Sequence, residues 1–307
     1  MDMSGQERPP TVIVGVDGTS AAQAALAWAI EAAVERDERL RIVHGLGMSA
    51  VMGTLAGSGT ERHQAGEQAR EGGHALLAAA AEEARRVHPD LNVSTLLAME
   101  DAPAVLLDEA GHRDMIVVGS RGLGAVRAIM LGSVGLRTST HAPCPVIVVP
   151  EVSERRRGGR IVVGVDGSAS SRRALRFALD HALVTDAAVV VVNSWEVPLP
   201  QDPESLAADT HSLHEEMFDR QSEEVVAGVL AEVIDDRTEG LDISAVRIQA
   251  DPVESLLEAG EGADMIVVGS RGRGGVSGLV MGSTSQGVLR RATVPVAVLP
   301  PRAEETD

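Results

Sequence analysis

The chain lacks lysine and tyrosine altogether, and it has two phenylalanines and two tryptophans among 307 residues. Without lysine it cannot carry a Walker A phosphate-binding loop, a Schiff-base lysine or the catalytic lysine of a protein kinase. With so few aromatic side chains, a surface that stacks nucleic-acid bases is not expected. A formal net charge of −18 would also repel a phosphate backbone. Nucleic acid is therefore not an expected partner.

Cysteine is nearly absent as well, since Cys144 is the single one in the sequence. One cysteine excludes an intramolecular disulfide and a four-cysteine zinc site. Cys144 stands between two prolines before an apolar run, and we expect it to be a small buried hydrophobe. The first residues lack the apolar segment of a signal peptide, and no stretch reaches the roughly 18 apolar residues that would span a membrane. These features predict a cytoplasmic protein that is not inserted in a membrane.

The sequence contains an internal repeat of about 150 residues. The segment Val12–Thr19 returns with small changes as Ile161–Ser168, and Asp114–Gly122 returns unchanged as Asp264–Gly272. A third block, an apolar run that follows a proline, closes each copy in the same order. Three repeated blocks in one order indicate a duplicated domain.

The repeats predict two domains, residues 1–150 and 161–307, joined by a linker over residues 151–160. The linker contains three consecutive arginines and two glycines. A basic run of this kind could be a nucleic-acid patch, but a short solvated connector is the simpler interpretation.

Within each copy, short valine- and isoleucine-rich runs alternate with longer alanine-rich periodic segments, which is typical of βαβ units on a parallel sheet. The fold class is therefore α/β, with two tandem open parallel sheets. In the first copy the pattern predicts strands near 12–16, 40–46, 92–98, 115–119 and 146–149, and helices near 20–35, 64–87, 103–110 and 133–141. The second copy is expected to repeat this arrangement from 161 to 299.

A glycine motif follows the fourth predicted strand of each copy. Its spacing is Gly-x-x-Gly, nine residues, then Gly-Ser, with its members at Gly119, Gly122, Gly132 and Ser133 and at Gly269, Gly272, Gly282 and Ser283. Glycine lets a ligand approach the backbone N–H groups closely, and a helix start attracts an anion. Glycines that only make turns are the alternative, but the complete spacing occurs twice at equivalent places. The motif therefore predicts phosphate binding.

Polar residues near the motif leave further alternatives open. Ser133 and Ser283 could cap the following helix or donate to a phosphate. Asp17 and Asp166 end the first strand of each copy, and each could cap a helix or contact the ligand. Beside a triphosphate, a carboxylate requires either a Mg²⁺ between the two or a ribose hydroxyl that donates to it.

The glycine spacing and the Val-Asp-Gly-Thr and Val-Asp-Gly-Ser endings of the first strands resemble the nucleotide-binding signature of universal stress proteins. The resemblance covers both copies and implies five-stranded sheets with order 3-2-1-4-5, helices on both faces, an adenine nucleotide alpha hydrolase-like fold and ATP at the switch point. Besides the motif glycines and serines, it implies contacts from Asp17, Thr19, Asp166 and Ser168. It also implies that backbone at Gly45 and Ser194 meets the adenine. Arg121 and Arg271, inside the motif, could contact phosphate or be exposed loop charges.

Three functions remain open at this point. The first is a regulatory stress-response switch that binds ATP together with Mg²⁺, with one nucleotide per domain. The second is a slow ATPase or adenylate-using enzyme, and the third is a structural protein without nucleotide. The family resemblance further implies that the fifth strand pairs with its mate, within the chain as a pseudo-dimer or between two chains as a homodimer, because an apolar edge strand needs a cover.

Overall fold

The computed structural model describes residues 8–47, 59–120, 132–151, 159–196, 210–272 and 281–300. The chain divides into two compact units, of which the first ends at Glu154 and the second begins at Arg155. Each unit is an α/β structure built on a parallel sheet. Among the described residues, no helix is both long enough and apolar enough to cross a membrane.

The first unit contains a five-stranded sheet in the order 3-2-1-4-5. Its strands are β1 (Thr11–Gly15), β2 (Arg39–Gly45), β3 (Val93–Ala98), β4 (Met115–Gly119) and β5 (Val146–Val149). Strand β1 pairs in parallel with both β2 and β4. The chain therefore proceeds outward from β1 in one direction and from β4 in the other, and the carboxyl ends of these two strands form the switch point of the sheet.

Within the described part of the first unit, four helices cover the two faces of this sheet. They are α1 (Ser20–Glu35), α2 (Gly59–Val87), α3 (Ala102–Glu109) and α4 (Ser133–His141). Helix α1 packs with α2, and α3 packs with α4. The strand residues from Val12 to Val14 and from Met115 to Val118 are at most 2% exposed, as expected for strands that are covered on both faces.

The second unit repeats the first. Its strands are β6 (Arg160–Gly164), β7 (Ala188–Trp195), β8 (Ile243–Gln249), β9 (Met265–Gly269) and β10 (Val296–Leu299). Its helices are α5 (Ala169–Thr185), α6 (Thr210–Val233), α7 (Pro252–Ala259) and α8 (Ser283–Arg291). The strand order is β8-β7-β6-β9-β10, which is again 3-2-1-4-5 within the copy. The fold class and the sheet order predicted from the sequence are confirmed.

Two expectations about element boundaries need correction. Helix α2 begins at Gly59, five residues before the expected start, because no periodic apolar pattern marks its polar first turn. The last two residues of the expected linker are part of the second sheet and its contacts, since Arg160 begins β6 and the Gly159 N–H donates to Asp264 Oδ2 over 3.0 Å. The linker residues 152–158 lie outside the described residues.

A buried carboxylate closes the amino end of the first sheet. Asp114 is 5% exposed; its Oδ1 accepts from the Thr11 N–H at 3.0 Å and its Oδ2 accepts from the Gly111 N–H at 2.7 Å. The Arg8 guanidinium also donates to Oδ2. Asp114 thereby joins the start of β1 to the turn before β4.

Cys144 is fully buried just before β5. Burial raises the pKa of its thiol to about 12, and the charge of Asp114 adds to the shift. A thiol that stays protonated is a poor nucleophile, so the expectation of a small buried hydrophobe agrees with its place in the structure.

Candidate nucleotide site at the switch point

In each copy a tight turn follows the first strand and leads into a capped helix. Gly18 and Gly167 adopt φ values of +81° and +79°, which non-glycine residues rarely adopt. The helices that follow are capped by Thr19, whose Oγ1 accepts from the Ala22 N–H at 3.2 Å, and by Ser168. The hydroxyl oxygens of Thr19 and Ser168 are therefore engaged as helix caps.

Asp17 and Asp166 do not cap these helices themselves. Asp17 Oδ1 accepts from the N–H and the Oγ1 of Thr19, at 3.0 and 2.6 Å. Asp166 Oδ1 accepts from the Ser168 N–H at 2.9 Å. Each carboxylate is half-buried and held by the residue that caps the helix, so capping is an indirect role for the aspartates.

Sequence reasoning missed a side chain that supports this turn from the second strand. His44 Nδ1 lies 2.7 Å from the carbonyl oxygen of Val16, and Asn193 Nδ2 donates to the carbonyl oxygen of Val165 over 2.6 Å. Because these carbonyls directly precede Asp17 and Asp166, the contacts fix the backbone that presents the carboxylates. The repeat could have identified them, since both positions hold a polar residue inside an apolar strand.

The first glycine of each motif is required by close packing. A Cβ at Gly119 would lie 2.7 Å from the backbone of Ala21, and one at Gly269 would lie 2.9 Å from Ser170. Distances below about 3 Å are shorter than any normal carbon contact. Glycine at these two positions therefore lets the end of the fourth strand touch the first helix of its copy.

Gly45, expected near the adenine, is also explained by packing. A Cβ there would lie 2.6 Å from the Ala102 nitrogen and 2.9 Å from the Glu100 oxygen. The equivalent position in the second copy holds Ser194, at the carboxyl end of β7. Each of the two residues lies, within its own copy, at the edge of the sheet where the first and fourth strands of that copy end.

The second glycine of the motif lies against the carboxylate of the second copy. A Cβ at Gly272 would be 2.6 Å from Asp166 Oδ2, so the structure brings Asp166 and Gly272 together as the sequence predicted. Their counterpart Gly122, together with Arg121, lies outside the described residues.

The third glycine is the N-cap of a helix in both copies. Gly132 precedes α4 and Gly282 precedes α8, and no side chain of the described residues caps either helix start. Ser133 and Ser283 are the first helical residues and are exposed. The structure therefore removes the alternative that these serines occupy the N-cap position.

Gly282 differs from Gly119, Gly269 and Gly272, because no close contact within the described residues requires a glycine there. Its φ of −68° and ψ of 150° suit any residue. Among the described residues, a Cβ there would meet no atom closer than the Ser270 carbonyl oxygen at 3.5 Å. Neither backbone strain nor packing explains a glycine at this position.

Two further polar groups of the second motif have no partner within the described residues. Ser270 is 1% exposed, and no described group is hydrogen-bonded to its hydroxyl. The buried Nε of Arg271 likewise has no partner there. Because buried donors are normally satisfied, these two suit a polar ligand. Arg271 is half-buried and not the exposed loop charge that the sequence left open.

Comparison with known proteins agrees with the duplicated fold. The family model described as "Universal stress protein family" matches residues 10–150 and again residues 159–300. A universal stress protein of Mycolicibacterium smegmatis is 30% identical over 310 residues, covering 95% of this chain and 97% of that protein. One of Mycobacterium tuberculosis is 30% identical over 302 residues, covering 96% and 99%.

A solved structure shows the same fold. The crystal structure of a universal stress protein from Archaeoglobus fulgidus superposes with a TM-score of 0.66 at 20% identity, and it covers 94% of this chain and 98% of that one. Two family matches along one chain, relatives of full length and two copies of the same sheet lead to one conclusion: the chain belongs to the universal stress protein family and carries its domain twice.

Proposed function

We propose that each half of the chain binds one adenine nucleotide, ATP, with its phosphates at the start of α4 or α8, and that occupancy acts as a switch in a stress response. The observation that carries this proposal is Gly282. A residue that opens a helix, and that the fold does not require to be glycine, leaves space above free backbone N–H groups. An anion fits this space, because a helix start presents unpaired N–H groups and the positive end of the helix dipole.

The donors of the second motif support the same placement. Ser270 Oγ and Arg271 Nε are buried and unpartnered among the described residues, and they belong to the loop that connects β9 to α8. A guanidinium in such a loop can neutralise phosphate charge. In the first copy, the sequence predicts that Gly122, Arg121, Gly132 and Ser133 contact the nucleotide.

The aspartates favour a nucleotide over a simple phosphate. Asp166 lies against Gly272, and a carboxylate this near a phosphate would repel it unless a cation or a hydroxyl came between. Among the described residues, no three His, Cys, Asp or Glu side chains come together as a metal site would need. A Mg²⁺ bound here would therefore take most of its ligands from phosphate and water. Alternatively, Asp17 and Asp166 accept hydrogen bonds from a ribose, with the adenine at Gly45 and Ser194.

We favour a regulatory role over catalysis because of the chemical groups that the described site contains. It presents hydrogen-bond donors and one carboxylate per copy, and each carboxylate already accepts hydrogen bonds from Thr19 or Ser168. These groups suit retention of a nucleotide. The net charge of −18 and the single cysteine are consistent with a cytoplasmic protein that does not bind nucleic acid. Pairing through the fifth strand stays a prediction, which light scattering would test.

The experiment that tests the proposed function starts from purified protein. Denaturation and mass spectrometry identify any nucleotide that is released, and titration calorimetry with ATP, with and without Mg²⁺, gives the number of sites. We expect two ATP per chain and no ADP formed over hours. Sustained ADP formation would favour the slow ATPase, and a protein that neither contains nor binds an adenine nucleotide would refute the proposal.

A further inference from the structure

The two copies differ in the side chains that are available to hold the start of the motif loop. In the second copy, Ser285 Oγ donates to the carbonyl oxygen of Gly269 over 2.5 Å, and Ser170 Oγ donates to that of Arg271. Both serines are buried, at 4% and 5% exposed. Two side-chain hydroxyls, one from α8 and one from α5, therefore hold two carbonyls on either side of Ser270.

The first copy has no hydroxyl at either place. The residue that corresponds to Ser170 is Ala21, which lies against Gly119 as Ser170 lies against Gly269. The third residue of α8 is Ser285, whereas the third residue of α4 is Gly135. Alanine and glycine side chains cannot donate a hydrogen bond, so neither contact can form in the first copy.

These contacts determine where backbone N–H groups point. A trans peptide unit is planar, with its C=O and N–H directed oppositely. Because the Arg271 carbonyl is directed to Ser170 on α5, the N–H of Gly272 is directed away from that helix. Residues 269–272 of the second copy are thus held in one conformation before any ligand arrives.

We propose that the two nucleotide sites are unequal, and that Ser170 and Ser285 are positioning residues that preorganise the second site so that it fills first. This inference rests on the proposed function. A loop that is already ordered loses less backbone conformational entropy when the ligand binds. The conformational entropy of one backbone residue corresponds to a factor of roughly 5 to 30 in a binding constant. The second site accordingly binds ATP about tenfold more tightly than the first.

The test measures each site separately in the full chain. Gly132→Asp places a negative charge at the first helix start and leaves the second site for measurement, and Gly282→Asp does the reverse. Calorimetry with Mg-ATP then gives one dissociation constant from each variant. Adding Ser170→Ala and Ser285→Ala to the Gly132→Asp chain is expected to weaken the second site about tenfold, to the level of the first.

Two further measurements separate positioning from general stability. Hydrogen exchange without nucleotide should be faster at the Gly272 amide in the doubly substituted chain, while thermal unfolding stays cooperative. Ala21→Ser in the Gly282→Asp chain supplies one of the two missing hydroxyls and should tighten the first site, which a merely structural role of Ser170 would not predict.

The outcomes distinguish this inference from the function on which it rests. Equal constants for the two sites, or a tighter second site that the two alanine substitutions leave unchanged, would overturn the inference alone. If the unsubstituted chain binds no ATP at either site, the proposed function fails, and the inequality fails with it.

Discussion

Gly282→Asp should have opposite effects on folding and on nucleotide binding. The backbone at Gly282 already has a conformation that aspartate adopts, and the nearest atom to its new Cβ is 3.5 Å away. Aspartate is a favoured N-cap and can accept hydrogen bonds from the free N–H groups of α8. Relative to glycine, this adds a few tenths of a kcal/mol to the stability of the folded protein. The folded protein should therefore be as stable as before or slightly more so.

The same carboxylate would lie where we place the phosphates. Two unit charges about 4 Å apart repel by about 4 kcal/mol at an effective dielectric constant of about 20. The helix start is partly exposed, so about 2 to 4 kcal/mol is a reasonable range, and this corresponds to a loss of roughly 30- to 1000-fold in affinity. Gly282→Asn, which has the same shape and capping ability without the charge, should lose much less.

Calorimetry with Mg-ATP measures the affinities, and thermal unfolding without ligand measures the stability. Both variants should be examined together with Gly132→Asp, which removes the first site and leaves only the second. If Gly282→Asp folds as well as the parent in that chain and binds ATP with unchanged affinity, the phosphates do not lie at the start of α8. Our assignment of the site would then be wrong.

Three other outcomes follow from contacts described above. Gly272→Ala should remove ATP binding to the second copy, because its Cβ would come within 2.6 Å of Asp166 Oδ2; retention of two sites in calorimetry would contradict this. Stability should decrease between about pH 9 and 12 in part through Cys144, because the folded thiol keeps its proton up to a pKa of about 12 whereas the ordinary value is 9.0. Cys144→Ala should show a smaller decrease in urea unfolding, and an identical pH dependence would speak against the shift. Asp114→Asn should cost about 2 kcal/mol, because a charged acceptor of the Thr11 N–H is replaced; a change below about 0.5 kcal/mol in urea unfolding would show that this contact adds little.

Most of the fold could be predicted because the apolar runs are short and repeated. The first strand was expected at 12–16 and is found at Thr11–Gly15, since a buried run of valines and isoleucines has no other place than the sheet. The start of α2 could not be predicted in the same way, because its first turn is polar and carries no periodic signal. The two-domain organisation could be predicted because the blocks are repeated; one copy alone would not have revealed it.

The site was predicted in outline, but the reasons for its residues were not. The sequence treats the motif glycines alike, whereas Gly119 is explained by packing on Ala21 and Gly282 by no feature of the fold. The sequence offers Asp17 as one possible N-cap of α1, whereas the structure has Thr19 in that role. The two residues are two positions apart and both residue types are common caps. The hydrogen bonds of Ser170 and Ser285 depend on contacts between residues distant in the chain, which spacing does not reveal.

The complete burial of Cys144 makes the chain convenient for site-specific labelling with a fluorophore. Its sulfur has no contact with solvent, so a maleimide dye added to the native protein should find no native thiol to modify. A cysteine introduced at the exposed Ser133 or at the exposed Ser283 would then carry the fluorophore alone, beside one chosen helix start. The order in which the two halves fill could be followed in real time without first removing the natural cysteine.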